Sequence, residues 1–206
     1  MATPWAVVLA LCCVPVACQQ SFSQLGVSMQ TQKGGQITWS VRSGRIEGVG
    51  GVHIEAVNKA AKTSLVADAQ KMVVNLLVGT ASKSALQGMD SIKSAQFDGP
   101  VKMVYVSPKP ILDGSGKIVG EVITTTTATA DSATFDGTQG IATLTGHVKI
   151  IQDDPSMWAE PAVMITEKAS INLKRAPGAE DYDFKLESTT GPSRIEVVPK
   201  AKEAES

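Results

Sequence analysis

Across 206 residues, 19 lysines and arginines stand against 20 acidic residues. A chain so nearly neutral has no concentrated basic surface with which to displace counterions from nucleic acid, which excludes that partner. The three cysteines, Cys12, Cys13 and Cys18, all fall within the first 18 residues, so the remainder holds no disulfide, thiol nucleophile or thiolate metal site.

Residues 5–17 (WAVVLALCCVPVA) form an uninterrupted apolar run of 13. That is the length of an export-signal core and well short of the ~20 residues that span a membrane as a helix. No lysine or arginine precedes it, and the first charged residue is Lys33. Cys18 after Val16-Ala17 is either adjacent to an ordinary cleavage site or itself the lipid-bearing N-terminus of a lipoprotein, although Pro15 stands where leucine or valine is usual for the latter. The expected layout is a signal segment over 1–18, a polar linker or first strand over 19–36, one β domain over 37–199, and a charged tail over 200–206.

Regular alternation begins at Ile37-Thr38-Trp39-Ser40-Val41, turns at Arg42-Ser43-Gly44, and resumes at Val52-His53-Ile54-Glu55-Ala56. Residues 59–78 are ambiguous. Leu65, Ala69, Met72, Val73 and Leu76 fall at helical spacing, while Met72, Val74, Leu76 and Val78 alternate as in a strand. The Val73-Val74 pair, Asn75 and the β character on both sides favour strands.

The hexapeptide 94–99 (SAQFDG) returns as 132–137 (SATFDG), 38 residues later and changed at one position. Each copy ends in Asp-Gly, which suits a hairpin turn needing positive φ, and each is followed by a new alternating run, so the repeat predicts a strand–turn–strand unit used more than once. After the first copy, Val101, Met103 and Tyr105 alternate until Pro108 and Pro110 end pairing on that edge. Asp113-Gly114-Ser115-Gly116 makes a turn, and 117–129 is rich in β-branched residues. After the second copy, Ala142, Leu144, Val148 and Ile150 alternate with Thr143, Thr145, His147 and Lys149, an apolar face backed by a polar one. Asp153-Asp154-Pro155-Ser156 turns the chain, and runs at 162–166, 170–173, 182–186 and 194–198 complete ten or more short strands of four to nine residues. The fold class is all-β: a sandwich, a jelly roll or an open curled sheet.

Residues able to carry chemistry are few. His53 and His147 lie on polar strand faces with no Glu or Cys at ligand spacing, and read as solvated. Asp98 and Asp136 read as turn residues rather than a carboxylate pair. Ser94 and Ser132 have no nucleophile-elbow setting. No phosphate loop, dinucleotide fingerprint, metal cluster or cofactor motif occurs. Trp39 and Trp158 fill the core or sit at a groove mouth. Met72, Met103, Met157 and Met164 pack a core or line an adaptable lipid pocket.

Residues 129–173 resemble the OstA-like (LptA/LptC) family of bacterial lipopolysaccharide-transport proteins. The features that carry the likeness are Ala130-Asp131, then Phe135-Asp136-Gly137, then Leu144-Thr145-Gly146-His147-Val148. Ala67-Asp68 and Ala159-Glu160 resemble further repeat openings. Pro100 follows the first Asp-Gly and no Leu-Thr-Gly appears there, a departure from the family pattern. The resemblance implies a curled antiparallel sheet (a β-jellyroll) folded into a V-shaped trough with open edges, located in the periplasm. Its lining would shield lipid acyl chains, and other jellyroll components would join it edge to edge. On that reading Trp39, Met103, Leu144, Val148, Ile150 and Met164 form a lipid-binding groove, Cys18 is the candidate lipidation site, and the function is non-enzymatic. A ligand-free envelope scaffold assembling through its sheet edges is the alternative; a secreted hydrolase has the least support.

Overall fold

The computed structural model describes residues 21–22, 27–59, 61–77, 91–173 and 184–200. The expected signal segment with Cys12, Cys13 and Cys18, and residues 201–206 of the tail, lie outside them. The described residues form eleven strands and no α-helix: β1 (Ser21–Phe22), β2 (Val27–Thr31), β3 (Gln36–Ser40), β4 (Arg45–Asn58), β5 (Thr63–Leu76), β6 (Ile92–Leu112), β7 (Ile118–Asp136), β8 (Ile141–Asp153), β9 (Trp158–Asn172), β10 (Phe184–Glu187) and β11 (Arg194–Pro199). They make one antiparallel, unclosed sheet in the order β1-β2-β4-β5-β6-β7-β8-β9-β10, with β3 also on β4 and β11 also on β9.

Eleven strands agree with the ten or more expected, but the central ones exceed four to nine residues: β6 has 21, β7 has 19 and β9 has 15. Several breaks in alternation are bulges rather than turns. Register slips between Val49 and Val52 on β4, Asp98 and Val101 on β6, and Thr145 and Val148 on β8. Each pair of skipped residues on these strands stands beside one skipped residue on the next: Gly50-Gly51 beside Gln70, Gly99-Pro100 beside Asp131, and Gly146-His147 beside Glu167. The leading glycine is left-handed each time, with φ of 89° at Gly50, 88° at Gly99 and 78° at Gly146. A bulge bends its strand and increases its twist, and aligned bulges on neighbouring strands bend the whole sheet. The result is a crease running across β4–β9.

The crease divides the sheet into two walls built from the same long strands. On one side β3 pairs with residues 45–49 of β4 and β10 with 168–171 of β9. On the other, β2 pairs with 52–56 of β4 and β11 with 158–165 of β9. The inner faces of both walls contribute to a single apolar cluster. β2 belongs to it through Val27 and Met29, both buried, although residues 19–36 showed no sustained period.

The helix-or-strand ambiguity over 59–78 has its cause at the crease. In β5 the positions in the apolar cluster run Leu65, Ala67, Ala69 and then Met72, Val74, Leu76, with Val73 buried on the opposite face. The three-residue step between Ala69 and Met72 shifts the period by half a cycle, and the combined spacing imitates a helix. The same step occurs between Ala130 and Ala133 on β7 and between Thr166 and Ala169 on β9.

The hexapeptide repeat also has a different meaning from the one expected. Its two copies pair with each other, Ser94 opposite Asp136, Gln96 opposite Thr134 and Asp98 opposite Ser132. Asp136-Gly137 does open a hairpin turn, but the left-handed residue there is Gly140, at φ 72°. Gly137 is needed for space, since a Cβ on it would lie 1.7 Å from the Ile92 carbonyl oxygen. Asp98-Gly99 is a bulge in the middle of β6, not a turn. Pairing ends before Pro108 on one edge of β6, as expected, yet the strand continues. Pairing with β5 stops at Val106, while pairing with β7 continues through Pro108 opposite Ile123 and Pro110 opposite Glu121, because proline leaves the carbonyl acceptors intact.

An apolar interior and its mouth as candidate functional site

Five of the six candidate groove residues converge. Met103 on β6, Leu144, Val148 and Ile150 on β8, and Met164 on β9 are all buried in the one cluster between the walls. Trp39 stands apart: it lies opposite Ile46 on the outlying strand β3, 41% exposed at the sheet edge. Trp158 is the tryptophan that packs against the cluster, and its buried indole N–H has no hydrogen-bond partner. Such a group costs about 1–3 kcal/mol.

A narrow cavity of about 10 Å³ runs between Leu65, Met103 and Ala128 of one wall and Ala142 and Ile171 of the other. It abuts a larger cavity of about 380 Å³ where the walls end opposite the crease, the two sharing Tyr105, Thr126, Ile171 and Leu173. The Tyr105 hydroxyl donates to the Leu173 carbonyl at 3.2 Å across this mouth. Tyr105 closes the alternating run of Val101 and Met103, so its inward orientation was legible in the sequence. Its partner, 68 residues away, was not.

The larger cavity is amphiphilic, with Pro108, Leu173 and Phe184 on its rim beside Lys109, Gln152 and Asp154. The Lys109 ammonium donates to Asp154 Oδ2 at 2.7 Å, and the Ser156 amide and hydroxyl donate to Oδ1. Asp154 is 2% exposed. Burial pushes its carboxyl up, but the hydrogen bonds from Lys109 and Ser156 outweigh burial and hold it below its usual range. The sequence marked Asp154 only as a turn residue; its pairing with a lysine 45 positions away comes from β6 and β8 flanking β7 in the sheet.

The polar residues weighed for catalysis occupy structural positions. His53 Nδ1 lies 2.8 Å from Asp68 Oδ1, and His147 Nδ1 lies 2.8 Å from Asp131 Oδ2, both pairs exposed beside the crease. His147 departs from the expected regular strand face, sitting left-handed in the bulge at φ 45°. Asp136 accepts from the Thr138 hydroxyl and from the amides of Gln139 and Thr138, bonds that hold its carboxyl low. Glu167, at the crease on β9, accepts hydrogen bonds from the hydroxyls and amides of Thr190 and Thr189, which lower its carboxyl to about 2. Sequence reasoning passed over it. Among the described residues no three His, Cys, Asp or Glu side chains gather in a way that could hold a metal ion. No helix among them is long and apolar enough to cross a membrane.

Residues 127–199, from the middle of β7 to the end of β11, match the family model described as LptA/(LptD N-terminal domain) LPS transport protein. Among solved structures, LptH from Pseudomonas aeruginosa, described as the LptA homologous periplasmic component of the conserved lipopolysaccharide transport device, aligns over 86% of this chain and 97% of its own at 16% identity and a TM-score of 0.48. No curated protein matches the chain. The likeness to the LptA and LptD N-terminal family thus covers residues 127–199 of the 206 in the chain.

Proposed function

We propose that the chain is a non-enzymatic, exported lipid-binding protein that takes part in moving lipopolysaccharide to the outer membrane. The observation that carries this reading is a family match spanning β8 and β9, the strands that supply Leu144, Val148, Ile150 and Met164 to the apolar interior. With Met103 these residues line the space for acyl chains, and Trp39, exposed on β3, lies outside that lining. Residues 1–18 direct export and are removed, or Cys18 is lipidated and anchors the chain on the periplasmic side of a membrane. Partner jellyroll components add to the trough through its terminal strands, because unpaired strand edges are templates for another sheet.

The test is displacement of a fluorescent fatty acid from the purified chain by lipid A. Competitive displacement is expected, weakened at least tenfold in a Met103→Gln, Met164→Gln double variant, which keeps side-chain length but makes the lining polar. A wild-type chain from which lipid A displaces nothing refutes the reading.

One observation favours a second reading. β3 and β11, at opposite ends of the sheet, are exposed along their whole lengths, as in a scaffold assembled through its edges without ligand. Oligomers that grow with concentration in fully delipidated protein, with no lipid A binding, would support that role instead.

A further inference from the structure

We infer that the cavity at the mouth is a docking site for a single hydrocarbon chain of an amphiphile, and that Tyr105 is the gate between it and the apolar interior. This rests on the lipid-binding reading above and adds to it where a chain first binds and what it must open. The cavity on the inner side of Tyr105 has about 10 Å³ of free volume, too little for a hydrocarbon chain, so a chain seated at the mouth needs more room before it can pass inward. The adjoining cavity, about 380 Å³, lies within the size range of small-ligand sites. Its apolar rim of Leu173 and Phe184 continues inward through Ile171, while Lys109, Gln152 and Asp154 form a polar margin for a head group.

The Tyr105–Leu173 hydrogen bond joins β6 in one wall to the chain just past β9 in the other. The tyrosine ring also lines both cavities. For a chain to pass from the outer cavity inward, the walls must part at the mouth and this bond must break. The rotation falls on the crease, where Gly50, Gly99 and Gly146 already adopt conformations closed to most residues. Tyr105 is thus a positioning residue that sets the population of the open form, and apparent affinity scales with that population.

Stopped-flow uptake of dansyl-undecanoic acid by the full chain tests the gate. Tyr105→Phe removes the hydroxyl and keeps the ring. It is expected to raise the association rate and the affinity together by about two- to twelvefold, the factor that corresponds to one hydrogen bond of ordinary net strength, with the dissociation rate unchanged. Loss of general packing would instead speed dissociation. In a second form, Ser107→Cys and Asn172→Cys are bridged by a short bis-maleimide, with Cys12, Cys13 and Cys18 changed to serine. This clamps the mouth and is expected to stop uptake that the unbridged chain still shows. Uptake by the bridged chain at the unbridged rate, or a Tyr105→Phe association rate no higher than wild type, overturns the gate and leaves the lipid reading standing. A wild-type chain that takes up no probe overturns the lipid reading and the gate with it.

Discussion

The two Asp-Gly glycines of the repeated hexapeptide serve different purposes, and asparagine compared with alanine at both positions separates a left-handed backbone requirement from a requirement of space alone. Gly99 is left-handed at φ 88°, and a Cβ there would also meet Cβ and Cγ of Gln70 at 2.8 Å, of which only Cγ can turn aside. Gly99→Ala is expected to cost at least about 1–2 kcal/mol, the penalty of an L residue in that region, with the Gln70 contact adding to it. Gly137 carries no such strain, but its Cβ would lie 1.7 Å from the Ile92 carbonyl oxygen and 2.8 Å from the carbonyl carbon, where real Cβ contacts stay above 3.0 Å. Both atoms are backbone, so the turn must withdraw from β6. Withdrawal breaks the hydrogen bond from the Gly137 amide to the Lys93 carbonyl at 2.9 Å and disturbs Phe135, 2% exposed. A lost hydrogen bond plus forced overpacking gives about 2–4 kcal/mol. Asparagine tolerates the left-handed region, so Gly99→Asn is expected to recover about 0.5 kcal/mol relative to alanine, whereas Gly137→Asn recovers nothing. Urea unfolding with equal m-values measures all four. Gly137→Ala within about 0.5 kcal/mol of wild type, the range of an ordinary surface change, or equal relief by asparagine at both sites, refutes the distinction.

Three further outcomes follow from the packing and the polar contacts. Leu144→Ala, at a site with 0% exposure, should lower unfolding free energy by about 2–5 kcal/mol; a loss under about 1 kcal/mol would mean the walls do not close on it. Lys109→Met leaves the buried Asp154 without its cation and is expected to cost about 1.5–3 kcal/mol at neutral pH, toward the lower end because Lys109 is 36% exposed; thermal unfolding reads it. Glu167 has its folded-state carboxyl lowered from 4.5 to about 2. Its contribution is therefore complete above pH 4.5 and is lost as pH falls toward about 2. The difference in denaturation midpoint between wild type and Glu167→Gln should shrink across that window, and a difference independent of pH would show that the Thr189 and Thr190 contacts do not depend on its charge.

Alternation along each strand, the abundance of β-branched residues and the placement of turn residues were enough to read the sequence as all-β, and to put Leu144, Val148 and Ile150 on one apolar face. Side-chain period is a local property, and a strand displays it wherever it pairs. The family pattern in 129–173 was legible for the same reason, since its motif is contiguous. The crease, the wall each segment joins, and the identity of Asp98-Gly99 as a bulge were decided by tertiary structure. A bulge and a hairpin turn both call for left-handed glycine, and only the neighbouring strand distinguishes them. Tyr105 and Leu173 became partners because the sheet folds over and brings distant strand ends to one mouth, and Lys109 and Asp154 because β6 and β8 flank β7 in the same wall. Such contacts depend on the paths of whole strands, which no local pattern of residues encodes.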